Sequence, residues 1–172
     1  VDTSPTPQGR PPELPTRVTG LVLRALTAED ADAYYALLDR NRLHLSRLGD
    51  FRAEREATPA WVRAHLAEDP GPGLRCGILL NGALIGRIDL VAVDPPRYGT
   101  GYWLDESHVG SGYASAACSA LYGHAARALG ATEVFAGVTH GNDRSVALLR
   151  RLGFEPVADF EDYTRFRLVL VP

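Results

Sequence analysis

Tyr102-Trp103-Leu104-Asp105-Glu106-Ser107-His108-Val109-Gly110-Ser111-Gly112-Tyr113-Ala114 is the stretch that decides how the rest of this chain is read. An apolar, strand-like tetrapeptide runs through a polar turn into Gly-Ser-Gly, and then into an Ala/Leu-rich helical pattern that ends near Leu129. The first turn of a helix leaves backbone N–H groups without intrahelical acceptors and carries partial positive charge, so it favours an anion such as phosphate. Gly110 and Gly112 remove the Cβ atoms that would hold a pyrophosphate away from those donors. Taken alone, the same residues also fit a plain strand-to-helix connection, since Gly-x-Gly occurs in ordinary turns.

Some thirty residues downstream, Asn142-Asp143-Arg144-Ser145 leads into Val146-Ala147-Leu148-Leu149-Arg150-Arg151-Leu152-Gly153-Phe154. Asn142 or Asp143 is positioned to cap a short amphipathic helix with Val146, Leu149 and Leu152 on its apolar stripe. Gly153 suits the residue just past its end. At this distance and in this order, the two segments resemble the acetyl-CoA-binding core of the GNAT superfamily of N-acetyltransferases. The Gly-Tyr-Trp-Leu lead-in and the Asn-x-x-Ser…Leu-Gly-Phe close look like its ribosomal-protein (RimJ/RimL-like) branch. The resemblance spans about residues 20–171.

Composition sets the outer bounds. A chain of 172 residues with 45% hydrophobic content can build one core without a second domain. A net charge of −3 with interspersed signs argues against a strongly basic nucleic-acid binder. Cys76 and Cys118 are isolated and the five histidines are scattered, so no metal-ligand spacing exists; a reduced, cytoplasmic setting is expected. No apolar run has the length of a membrane span, and the N-terminus lacks a signal-type apolar segment. Residues 1–19 hold five prolines and few large apolar side chains, which predicts a flexible, polyproline-like tail. Residues 20–172 are then a single domain, monomeric or homodimeric.

Along that domain, Leu21–Leu26 reads as a strand, and Thr27 as the N-cap of a helix that buries Ala33, Leu37 and Leu38 and continues towards Leu45. Thr58-Pro59 starts another helix, with Pro at its first position. Asn81-Gly82 between two apolar runs is a hairpin signal. The strand entering the glycine turn, a long helix, a strand over 132–138, the Asn142 helix and a closing hairpin complete the order. The expected fold is α+β, β-αα-βββ-α-β-α-ββ: a mixed, largely antiparallel sheet with helices on both faces.

The resemblance implies acetyl-CoA as co-substrate and no metal. Its glycine motif maps onto Val109, Gly110, Ser111, Gly112, Tyr113 and Ala114, whose backbone N–H groups would take the pyrophosphate. Trp103 and Leu104 on the preceding strand would pair with the pantetheine arm, and Asn142 and Ser145 would face it. Two departures stand out. Val109 occupies a position where the family carries Gln or Arg, and Ser111 one where a basic residue is common. Arg144 and Arg151 could reach phosphates or could form a solvated helix face.

Acetyl transfer to an amine needs a neutral amine, an oxyanion donor and a proton for the leaving thiolate. The family's usual glutamate position corresponds to Gly99 and its usual tyrosine position to Leu149, so neither group is present. An α-amine, with a pKa of about 8, demands less of a base than a lysine at about 10. The remaining base candidates are Asp89, on a strand beside Ile88 and Leu90, and Glu161 or Asp162 at the closing turn; each also fits a plain surface position. His44 and His108 read as surface residues. The leading expectation is acetylation of a protein or peptide N-terminal α-amine. A small-molecule amine acceptor (antibiotic, amino acid or polyamine) and a non-catalytic acyl-CoA-binding module are the alternatives. A tRNA-linked acceptor would need a basic face that the composition does not display.

Overall fold

The computed structural model describes residues 12–171. Eight strands form one sheet in the order β1-β2-β3-β4-β5-β6-β8-β7. They are β1 (Glu13–Pro15), β2 (Leu21–Ala25), β3 (Leu74–Leu80), β4 (Ala83–Asp94), β5 (Arg97–Leu104), β6 (Glu133–Thr139), β7 (Glu155–Asp159) and β8 (Tyr163–Val169). Every neighbouring pair is antiparallel except β5 and β6. The helices are α1 (Ala31–Arg40), α2 (Arg42–Ser46), α3 (Arg52–Arg55), α4 (Pro59–Ala67), α5 (Tyr113–Ala128) and α6 (Asp143–Arg151). The expected mixed, largely antiparallel α+β architecture with helices on both faces is what forms.

Strand alternation sorts the core into two layers. On β4, Ile88 and Leu90 point to a cluster completed by Ala117, Leu121 and Ala125 of α5 and Leu149 of α6. The opposite face of the sheet packs on Tyr34, Leu37, Leu38 of α1 and Val62, Leu66 of α4, and takes in the indole of Trp103. The hairpin between β3 and β4 turns at Asn81 (φ 49°) and Gly82 (φ 85°). Positive φ at both central residues is what a type I′ turn demands.

Two expectations need correction. The segment expected as a solvated tail over 1–19 is ordered from residue 12 and contributes β1; residues 1–11 lie outside the described residues. The cause is local. Leu14 packs against the main core, and the Thr16 hydroxyl closes the turn into β2 by donating to the Leu21 carbonyl at 2.9 Å and accepting from Val18 N–H at 3.1 Å. Proline is tolerated in β1 because the strand is at the sheet edge. The helix expected to run from Thr27 towards Leu45 is instead broken at Asn41, which is buried. Its side-chain amide donates to Leu37 C=O at 2.9 Å and accepts from Glu106 N–H at 3.0 Å. A partner 65 residues away outweighs continuation of the helix.

Candidate active site

The site lies where β5 and β6 part. Their parallel pairing covers only Arg97↔Glu133, Tyr98↔Val134 and Gly99↔Phe135. Beyond Gly99 the strands diverge, and residues 100–104 and 136–139 line a cleft of 1340 Å³. Ligand pockets for one small molecule run to about 1,000 Å³, so this cleft has room for two reactants. β5 keeps its antiparallel bonds to β4 through Leu104, so its other edge presents unpaired backbone polar groups to the cleft.

At the end of β5, Asp105 caps a 3₁₀ turn (Glu106–His108), and the chain then bends through Gly110 (φ 85°) and Gly112 (φ 80°) into α5. These left-handed values suit glycine. A Cβ at either position would meet nothing within 4 Å, so both glycines border open space. The first intrahelical bond of α5 runs from Ala116 N–H to Gly112 C=O at 3.1 Å, leaving the N–H groups of the preceding turn directed out of the helix end. Such a turn presents backbone donors to open space, the chemistry that an anionic group such as a pyrophosphate would need. Val109, Gly110, Gly112, Tyr113 and Ala114 line the cleft, as do Trp103 and Leu104; exposed Ser111 stands between the two glycines, outside the lining. The Trp103 side chain is buried in the second core layer, so it is the backbone of β5 that is available to an extended arm.

On the β6 side, Asn142 is the N-cap of α6. Its Oδ1 accepts from Ser145 N–H at 3.3 Å, and its Nδ2 donates to Leu48 C=O at 3.1 Å. Both ends of the amide are thus engaged by the protein, and the loop stands as part of the cleft wall. Ser145 Oγ lies 2.8 Å from the Tyr102 phenol across the cleft floor. Burial pushes the Tyr102 pKa well above the usual phenol value, outweighing the hydrogen bond from Ser145, so the phenol keeps its proton at neutral pH. The pairing of the Tyr102 hydroxyl with Ser145, 43 residues on, has no signal in the sequence. Leu149 is fully buried on the cleft's inner side.

The far end is bounded by the α2–α3 connection (Arg47, Leu48, Gly49, Asp50, Phe51) and by Glu161, Asp162 and Tyr163 of the β7–β8 turn. Glu161 and Asp162 are exposed at this rim. His44, expected at the surface, is buried, with Nε2 3.1 Å from Leu104 C=O, where it closes the end of β5. Asp89 does not line the cleft. It sits behind β5, cross-strand from Gly101, bonded to Arg87, which also holds the Tyr34 hydroxyl at 2.9 Å and Glu54 at 3.2 Å. Burial raises the Asp89 pKa although Arg87 opposes the shift, and Oδ1 has no partner among the described residues. The reading of Asp89 as an outward surface residue is therefore incorrect. Alternation places it on the face beneath α1 and α4. Cys76 and Cys118 are free and buried, and burial pushes both thiols up to about 12, so neither is a nucleophile at neutral pH. Among the described residues no cluster could hold a metal ion, and no helix is long and apolar enough to cross a membrane.

A split sheet, a glycine turn at a helix N-terminus and a two-reactant cleft define an acyl-CoA-dependent transferase. The chain belongs to the GNAT family: the family's acetyltransferase domain matches residues 20–155, and the enzyme is an acetyl-CoA-dependent N-acetyltransferase. It is 29% identical over 147 residues to YdaF of Bacillus subtilis (strain 168), itself provisionally assigned as a ribosomal N-acetyltransferase, covering 78% of this chain and 77% of YdaF. Its fold matches RimL, the ribosomal L7/L12 alpha-N-protein acetyltransferase, in complex with coenzyme A. The TM-score is 0.82 at 23% identity, over 92% of this chain and 98% of that one. RimJ of Mycobacterium smegmatis in complex with CoA-disulfide matches with a TM-score of 0.78 at 22% identity, over 91% and 86%.

Proposed function

We propose that this enzyme acetylates the α-amine of a peptide or protein N-terminus. The observation that carries the reading is the makeup of the cleft floor: Tyr102 and Ser145 hydrogen-bond each other there, while the lining carboxylates, Asp50, Glu161 and Asp162, belong to the α2–α3 connection and the β7–β8 turn. Gly99 and Leu149 stand where the family carries its usual base and acid. A floor of this kind can donate a proton but cannot strip one from a strongly basic ammonium. The acceptor therefore has to arrive largely neutral, which an α-amine with a pKa of about 8 does and a lysine or polyamine at about 10 does not.

Bound acetyl-CoA supplies the activated acetyl thioester. The first turn of α5 and the glycine turn hold the phosphates, and the open edge of β5 with the Asn142–Ser145 turn holds the arm. As the thioester C–S bond breaks and the amide C–N bond forms, the Tyr102–Ser145 hydroxyl pair would relay to the leaving thiolate the proton that the attacking amine nitrogen gives up. Glu161 and Asp162, at the rim, draw the ammonium form of the acceptor to the cleft before it loses its proton to solvent. Asp89 would act as a base only through water crossing the open space at Gly101. The resemblance to RimL and YdaF, whose names refer to ribosomal substrates, agrees with a protein N-terminus as acceptor.

The test is thiol release from acetyl-CoA across peptides with free N-termini, amino acids, polyamines and aminoglycosides. Peptides should turn over fastest, with rates that rise with pH up to each acceptor's own amine pKa. Turnover of polyamines or aminoglycosides without peptides would overturn the assignment. A profile set by an enzyme group and identical for acceptors of different pKa would restore Asp89 as the base, with Asp89→Asn as the deciding variant.

A further inference from the structure

The glycine turn lacks the side-chain cation that anion sites of this kind commonly carry: Val109 and Ser111 are both uncharged. The structure brings one from elsewhere. Arg17, in the β1–β2 turn, donates from Nη2 to Ser115 Oγ at 2.9 Å and from Nη1 to Ser119 Oγ at 3.3 Å, 98 and 102 residues away. Ser115 is the third residue of α5 and lines the cleft. The turn that presents Arg17 is built rather than loose. Besides the Thr16 bonds described above, Leu21 N–H returns to Val18 C=O at 3.1 Å and Thr16 N–H to Leu21 C=O at 3.3 Å.

The electrostatics of this placement are unusual. Arg17 is exposed and has no carboxylate partner among the described residues; its hydrogen bonds go only to two neutral hydroxyls. A helix N-terminus carries partial positive charge, so a guanidinium held against the first turns of α5 is repelled by it. An anion lying between the two converts that repulsion into attraction from both sides. Arg17 reaches the cleft only through Ser115, at its edge; Arg144 and Arg151 line the cleft itself, from α6.

We propose that Arg17 is a donor-substrate residue: the N-terminal strand pair supplies the cation that binds a phosphate group of acetyl-CoA, in place of one in the glycine turn. This rests on the α5 turn being the phosphate site, and the experiment separates the two. Arg17→Gln removes the charge while keeping a polar side chain with an N–H donor. It should raise KM for acetyl-CoA about tenfold, leave kcat and the melting temperature of the free enzyme unchanged, and flatten the salt dependence of CoA binding. Arg17→Lys should recover part of the loss. With acetyl-pantetheine, which has no phosphates, Arg17→Gln should match the wild type. Comparing CoA with 3′-dephospho-CoA then assigns the contact: a loss confined to CoA identifies the 3′-phosphate, and an equal loss identifies the pyrophosphate. An unchanged KM for acetyl-CoA in Arg17→Gln, or an equal loss with acetyl-pantetheine, overturns the proposal. Ala114→Asp places a carboxylate in the cradle at a helix position that tolerates it, and should abolish CoA binding. If that variant loses CoA while Arg17→Gln does not, the cradle stands and Arg17 alone falls. If Ala114→Asp binds CoA normally, the phosphate site itself has been misplaced.

Discussion

Two hydroxyls carry the chemistry assigned to the cleft floor, and each has a distinct weight. In the proposed mechanism Ser145 delivers the proton to the leaving thiolate and Tyr102 supports it, so Ser145→Ala should lower kcat about a hundredfold, within the range of general-acid contributions. Tyr102→Phe removes one neutral hydrogen bond and should cost about tenfold. Because the two act as a unit, the double variant should be little worse than Ser145→Ala; steady-state kinetics on all three checks this, and additive losses would separate the roles. Asn142 behaves differently. Its cap on α6 could be read from the sequence, because capping is a local matter of residue type and position. Its bond to Leu48 C=O spans 94 residues and left no such trace. Asn142→Asp keeps the capping oxygen but sets a carboxylate against that carbonyl. The expected result is a near-normal melting temperature with a raised KM for the acceptor, whose wall Leu48 helps form. Asp89 shows the same limit from the other side: period-two alternation was visible, but which face of β4 the helices cover was not.

At the scale of elements, local chemistry wrote itself into the sequence wherever the deciding contact was close by. The Asn81-Gly82 turn, the Pro59 start of α4 and the glycine entry to α5 all formed as expected, because a backbone angle or a missing N–H decides each. The break between α1 and α2 was invisible, since Asn41 is spent on Glu106 N–H, far along the chain. Asn41→Ala would remove the buried amide that ties Leu37 C=O to Glu106 N–H and should destabilise the fold by about 1–3 kcal/mol in denaturant unfolding. Single-turn α3 owes its place to a similar distant tie, the ion pair of Glu54 with Arg87, both side chains under 15% exposed. Glu54→Gln should loosen the segment holding Asp50 and Phe51, raising the acceptor KM while leaving that for acetyl-CoA unchanged.

For the molecule as a whole, Asp30 and Asp105 link stability to acid. Asp30 is partly buried, which opposes its charge. Hydrogen bonds from Arg24 at 2.9 Å and from Thr27 N–H at 2.8 Å prevail and hold its pKa below the ordinary 3.8. Asp105 is also depressed; burial opposes the shift, and the bonds from Arg40, at 2.9 Å and 3.0 Å, outweigh it. A depressed folded-state pKa means the unfolded chain binds protons more readily. Both contributions are therefore complete above the unfolded value of 3.8 and disappear as pH falls through the lower folded values. Unfolding midpoints should hold steady down to about pH 4.5 and drop below it, and Asp30→Asn should flatten the drop.

Three residue pairs alone join β5 to β6, and the sheet is otherwise parted along this line. The sheet thus has two parts, β1–β5 and β6–β8, joined by a short seam near Gly99. An acetyl-CoA arm lying along β5 would serve as a temporary strand, and the fold would be mechanically complete only while it is in place. The consequence is an order of events: amides on the cleft edge of β5 should exchange with deuterated water quickly in the free enzyme and slowly once CoA is added. An acceptor added alone should leave them fast, so that the wall it needs exists only after the donor has entered.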